Sequence, residues 1–141
     1  NLYINNKCFL KKKSYSMDGE DIEIFNYFKN KKVLVTGGAG SIGSEICRQI
    51  YNLNPEKLIL LDMNESSLFF INNNLEKLSR KFPIKAILGN ACNYELVLRT
   101  LINYEVDVVF HAAAYKHVNI LENNIFSAVK IMFLQHLMYV N

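Results

Sequence analysis

The chain has 141 residues, half of them apolar and 21% charged, with a formal net charge of +3, six glycines, two prolines and no tryptophan. That apolar share excludes wholesale disorder, the glycine and proline counts exclude collagen-like or linker-dominated chains, and no run of about 18 uncharged apolar residues is present to cross a bilayer as a helix. The charge is too small to argue for nucleic acid, because the basic residues are mostly Lys, which lacks the planar fork of Arg.

Residues 1–30 are expected to form an approach segment to one domain over 31–141. The basic run Lys11 to Lys13 reads as a solvated face, an acidic patch follows at Asp18, Glu20, Asp21 and Glu23, and Ile22, Ile24, Phe25 and Phe28 fit a short amphipathic helix. Val33 to Thr36 is a β-branched apolar run that predicts a strand, and a glycine-rich turn leads from it into a helix with Ile42, Ile46, Ile50 and Leu53 on one stripe. A second strand is expected over Leu58 to Asp62, and then a helix with Leu68, Ile71, Leu75 and Leu78 inward, ended by Pro83. Ile84 to Leu88 makes a third strand closed by Gly89. A helix with Leu96, Val97, Leu101 and Ile102 inward leads to a fourth strand over Val106 to Phe110.

The strands are continuous apolar runs, as when helices cover both faces of a parallel sheet. The pattern is an α/β, Rossmann-type doubly wound fold, and right-handed crossovers give strand order 3-2-1-4. The fourth strand is then left with an unpaired edge through which homo-oligomeric association is expected. The stripe of Ile125, Val129, Phe133, Leu137 and Val140 can cover part of that edge or form the next packing helix. Cys8, Cys47 and Cys92 are odd in number and form no CxxC pair, which argues against a disulfide framework and a zinc site. With no signal peptide legible, a reducing cytoplasm is the expected location.

Chemistry concentrates at Thr36-Gly37-Gly38-Ala39-Gly40-Ser41-Ile42-Gly43. A glycine at the strand end permits a tight turn, Gly40 lets backbone approach a pyrophosphate, and Gly43 lets the helix pack closely, while the N–H groups of Ser41 and Ile42 face the anion. Asp62 ends the second strand, where a carboxylate can accept from a ribose hydroxyl; its charge favours NAD over NADP. The competing reading is an ordinary βα turn with a capping Asp. Asn90 suits either a turn or an adenine edge. By spacing alone, His111 is a buried, hydrogen-bonded histidine more readily than a catalyst, whereas Lys116 and His117 fall in the ligand crevice at the end of the fourth strand.

Thr36 to Gly43, Cys47-Arg48-Gln49-Ile50, Asp62 with Glu65, and His111 to Val118 together resemble the CapD-like polysaccharide-biosynthesis proteins. These are extended short-chain dehydrogenase/reductases that act as nucleotide-sugar 4,6-dehydratases or epimerases, and the resemblance covers roughly residues 31–124. It implies NAD or NADP as cofactor and a UDP-sugar substrate, typically UDP-N-acetylglucosamine. It also implies that Gly37, Gly40, Ser41, Ile42 and Gly43 hold the pyrophosphate, Asp62 the adenosine ribose, and Ala112, Ala113 and Ala114 the ribose side of the cofactor, with Lys116 and His117 near the substrate. Asn90 and Asn93 depart from the family's Asp residues, Asn119 stands where Pro is usual, and Ile131 to His136 replaces an Asn-containing segment with a Gly-Thr pair. The family's Thr-Asp-Lys motif and (Tyr/Met)xxxLys helix fall beyond Asn141, so no catalytic residue is assigned. The expectation is an amino-terminal, NAD(P)-binding portion, truncated before the later strands; the alternative is a catalytically dead dinucleotide-binding remnant of a split or truncated gene.

Overall fold

The structure is a computed structural model in which residues 19–78 and 82–113 are described. Ala114, Lys116, His117 and the stripe from Ile125 to Val140 lie outside the described residues. Among the described residues, eight elements follow one another: α1 (Gly19–Phe28), β1 (Lys32–Thr36), α2 (Ser41–Asn52), β2 (Lys57–Asp62), α3 (Glu65–Glu76), β3 (Ile84–Leu88), α4 (Tyr94–Asn103) and β4 (Val108–His111). The strands form one parallel sheet in the order β3-β2-β1-β4, as the connections require.

Alternation along the two central strands divides the core into two layers. Val33, Val35, Leu58 and Leu60 face one way, onto Phe28, Cys47, Ile50, Tyr51, Leu68, Ile71 and Leu75 of the first three helices. Leu34, Ile59 and Leu61 face the other way, with Ala91 and with Val97 of α4. Both faces of β1 and β2 are therefore buried, which explains why these strands read as continuous apolar runs. The outer strands are less covered: β3 exposes Lys85 and Leu88, and β4 is half-buried throughout. Phe28 packs on Phe110 with ring centroids 6.0 Å apart, so the end of α1 is part of the first layer.

Three details correct the sequence reading. The fourth strand begins at Val108, because Val106 N–H donates back to Leu101 O (3.0 Å) as part of the turn that closes α4. Ile42 is 65% exposed, and the inward residues of α2 are Gly43, Cys47, Ile50 and Tyr51. Leu78 and Ile102, both expected inward, are exposed as well.

The amino-terminal end of the sheet is closed by charge. Lys32 Nζ pairs with Glu105 (2.5 Å) and Glu56 (3.7 Å), while Lys32 N–H donates to Asp107 Oδ2 (2.8 Å). The carboxyl end, where the strand-to-helix turns collect, carries the candidate site.

Candidate functional site

The turn after β1 is fastened to its neighbours through backbone atoms. Gly37 and Gly38 N–H both donate to Leu61 O (2.8 and 3.3 Å), and Gly40 N–H donates to Gly37 O (3.0 Å). Gly37 has φ +67, in the left-handed region, and a Cβ there would lie 2.6 Å from Ala113 N and 2.7 Å from Ala112 C. A Cβ on Gly43 would lie 1.9 Å from Gly37 O. These two positions admit no side chain. The chain thus lies backbone against backbone, with α2 resting on the turn and the turn on the end of β4.

The amino end of α2 differs from those of α3 and α4. The latter are capped by Asn64 and Asn93, whose Oδ1 atoms accept from Ser67 N–H (2.9 Å) and Leu96 N–H (3.2 Å), and each carries a carboxylate in its first turn, Glu65 or Glu95. α2 has Gly40 as its cap, no side-chain cap bond and no acidic residue in the first turn. Gly40, Ser41 and Ile42 are exposed. The positive end of this helix dipole thus carries neither a capping side chain nor a first-turn carboxylate, an arrangement that can receive an anion.

Asp62 stands beside this helix end, half-buried. Its Oδ2 accepts from Ala39 N–H and its Oδ1 from Asn64 N–H, each at 2.9 Å, so one carboxylate staples the β1–α2 turn to the β2–α3 turn. Each carboxylate oxygen can accept a further bond, so this structural role leaves capacity for a ribose hydroxyl. Asn90 is a turn residue: Oδ1 accepts from Cys92 N–H (2.8 Å), and its carbonyl accepts from Asn93 N–H (2.9 Å).

His111 is a partly buried, hydrogen-bonded histidine. Its Nδ1 lies 2.6 Å from Thr36 Oγ1, and burial pushes its pKa below the ordinary histidine value. Cys47 lies beneath the turn, where its thiol donates to Gly38 O (3.7 Å) and burial pushes its pKa up to about 12. It is packing, not a nucleophile.

Gly37, Gly40, Ser41, Ile42, Gly43 and Asp62 are thus gathered at the carboxyl end of the sheet, Ala112 and Ala113 touch Gly37, and Asn90 sits on the next turn. The part Ala39 plays through its N–H is not visible from sequence, since any residue could supply it. A shallow groove of about 360 Å³ between α2 and α3, lined by Ala39, Ser44, Arg48, Ser67 and Phe70, is likewise not legible from the motifs. Among the described residues, no group of His, Cys, Asp and Glu could hold a metal ion, and no helix is long and apolar enough to cross a membrane.

Residues 33–136 match the family model described as polysaccharide biosynthesis protein. An uncharacterized membrane protein of Methanocaldococcus jannaschii is 44% identical over 108 residues, 77% of this chain and 31% of that protein. The capsular polysaccharide biosynthesis protein CapD of Staphylococcus aureus is 38% identical over 72% of this chain and 17% of its own length. A trifunctional UDP-glucose 4,6-dehydratase of Arabidopsis thaliana is 33% identical over 73% of this chain and 15% of its own. Among solved structures, Pen from Bacillus thuringiensis superposes with a TM-score of 0.65 at 34% identity, over 74% of this chain and 31% of that one. A UDP-glucose-4-epimerase from Stenotrophomonas maltophila, with bound NAD and formylated UDP-arabinopyranose, shares the fold at a TM-score of 0.57 and 20% identity, over 76% of this chain and 34% of that one. The chain spans about a third or less of each of these proteins.

Proposed function

Since the chain belongs to the polysaccharide biosynthesis protein family, we propose that residues 31–141 are the NAD(P)-binding portion of a nucleotide-sugar 4,6-dehydratase or epimerase. The observation that carries this reading is the bare amino end of α2. It has no cap side chain and no carboxylate, and it is pressed by Gly43 onto a glycine turn that lies against the end of β4. In this reading Gly37, Gly40, Ser41, Ile42 and Gly43 hold the diphosphate. Asp62 accepts from the adenosine ribose, Asn90 borders the adenine, and Ala112 to Ala114 line the ribose on the nicotinamide side.

What a nicotinamide dinucleotide contributes in such a site is reversible acceptance of a hydride from the sugar. The chain's own part is to bind and orient. The dipole of α2 and the backbone N–H groups of its first turn neutralise the diphosphate, and the close contact of Gly37 with Ala112 and Ala113 brings the cofactor across the switch point of the sheet. The carboxylate of Asp62 repels a 2′-phosphate, which makes NAD the preferred dinucleotide. Lys116 and His117, next along the chain, are assigned to the substrate side. The substrate class is a UDP-sugar of the UDP-N-acetylglucosamine kind, and the odd number of widely spaced cysteines supports a cytoplasmic setting. No acid–base residue is assigned within this chain, so the function proposed for it is binding.

Calorimetric titration with NAD and NADP tests the reading. Binding of NAD, weakened by Ser41→Glu at the start of α2, is the expected result; absence of heat with both dinucleotides overturns it.

A further inference from the structure

Thr36 and His111 are partners in the parallel register of β1 and β4, and their side chains meet at 2.6 Å. Thr36 is fully buried, and among the described residues the bond to His111 Nδ1 is the one its hydroxyl makes. The two side chains share one hydrogen bond, its direction set by the histidine tautomer, and Nε2 of the ring has no partner among the described residues.

The place of this bond gives it a meaning beyond packing. The residue after Thr36 is Gly37, where the turn begins, and the residue after His111 is Ala112, whose N–H donates to Thr36 O at 2.9 Å. Immediately beyond lies a narrow gap, in which Gly37 faces the backbone of Ala112 and Ala113 too closely to admit a Cβ. The Thr36–His111 bond therefore ties β1 to β4 one residue below the point where the turn and the strand end must keep their spacing.

We propose that the Thr36–His111 side-chain bond is a positioning element of the dinucleotide site, holding the glycine turn at a set distance from the end of β4. His111 acts through Thr36 and touches no ligand. The proposal rests on the dinucleotide reading given above.

The test uses the full chain with Thr36→Val, which keeps the shape and removes the hydroxyl, and Thr36→Ser, which keeps the hydroxyl. Two readouts are taken well below the melting temperature: the calorimetric Kd for NAD, and amide hydrogen exchange at Gly37, Gly38 and Ala112 relative to Leu34 and Leu60 without ligand. Thr36→Val is expected to raise the Kd about tenfold, in keeping with the loss of one hydrogen bond that holds the site. It also speeds exchange selectively at Gly37, Gly38 and Ala112, and Thr36→Ser restores both. A Thr36→Val protein that melts earlier but keeps the parental Kd and exchange ratios overturns the proposal. If the parental chain binds no dinucleotide, the functional reading fails, and the exchange ratios alone decide the positioning role. Where Thr36→Val does not fold, His111→Gln carries the same readouts.

Discussion

The Ala39 backbone N–H donates to the carboxylate of Asp62 at 2.9 Å, across 23 residues of sequence. A side chain expected to meet a ribose is thus already holding the loop that would meet the phosphates. Asp62→Ala strips Ala39 and Asn64 of their acceptor, and leaving the part-buried Ala39 donor unmatched costs about 1–3 kcal/mol. The expected outcome is a lower melting temperature together with weaker NAD binding. Asp62→Asn, which keeps one acceptor oxygen and loses the charge, is expected to narrow the NAD over NADP preference; an unchanged ratio by calorimetry counts against Asp62 as the selector.

Ser41→Glu places a carboxylate at the amino end of α2, which has no acidic residue in its first turn. The charge is favourable for the helix itself by about 0.3–1 kcal/mol and unfavourable for any anion docking there. Stability is therefore expected to hold or rise while NAD affinity falls about tenfold or more, a split that a general folding defect cannot produce. Thermal melts and titrations of the same preparation check it.

His111 has its pKa lowered by burial. The unfolded chain then binds a proton more readily than the folded one between the ordinary value of 6.5 and the lower folded value. Stability is expected to be level above about pH 7 and to fall as pH drops through that window, levelling again below the folded pKa. Urea melts across pH 5 to 8 check the sign; with His111→Phe, this part of the dependence disappears.

Cys47 is fully buried and its thiol is pushed up to about 12, whereas Cys92 is half-buried on the turn before α4. Alkylation mapped by mass spectrometry is expected to label Cys92 readily and to leave Cys47 unmodified until the chain unfolds. Rapid labelling of Cys47 in the native protein contradicts the packing beneath the turn.

Strand positions and their order are legible because β1 and β2 are buried on both faces, so Val33 to Val35 and Leu58 to Leu61 announce themselves as unbroken apolar runs. The phase of α2 is not. Ile42, Ile46 and Ile50 form a helical stripe, but the helix turns Gly43 inward, and a residue chosen for lacking a side chain leaves no trace in a hydrophobic pattern. Val106 reads as strand for the opposite reason. It is apolar, yet its N–H is committed to Leu101 O. In the site, the glycine spacing and Asp62 stand out, whereas the bond of Asp62 to Ala39 and that of Thr36 to His111 depend on loop closure and strand register, which residue types alone do not specify.

Gly43 rests on the Gly37 carbonyl with nothing between them. The helix has no side chain there to act as a cushion, so a shift of the glycine turn is expected to be passed directly to α2. A reporter dye at exposed Glu45 of α2, outside the groove that Arg48 lines, is therefore expected to report changes at the turn.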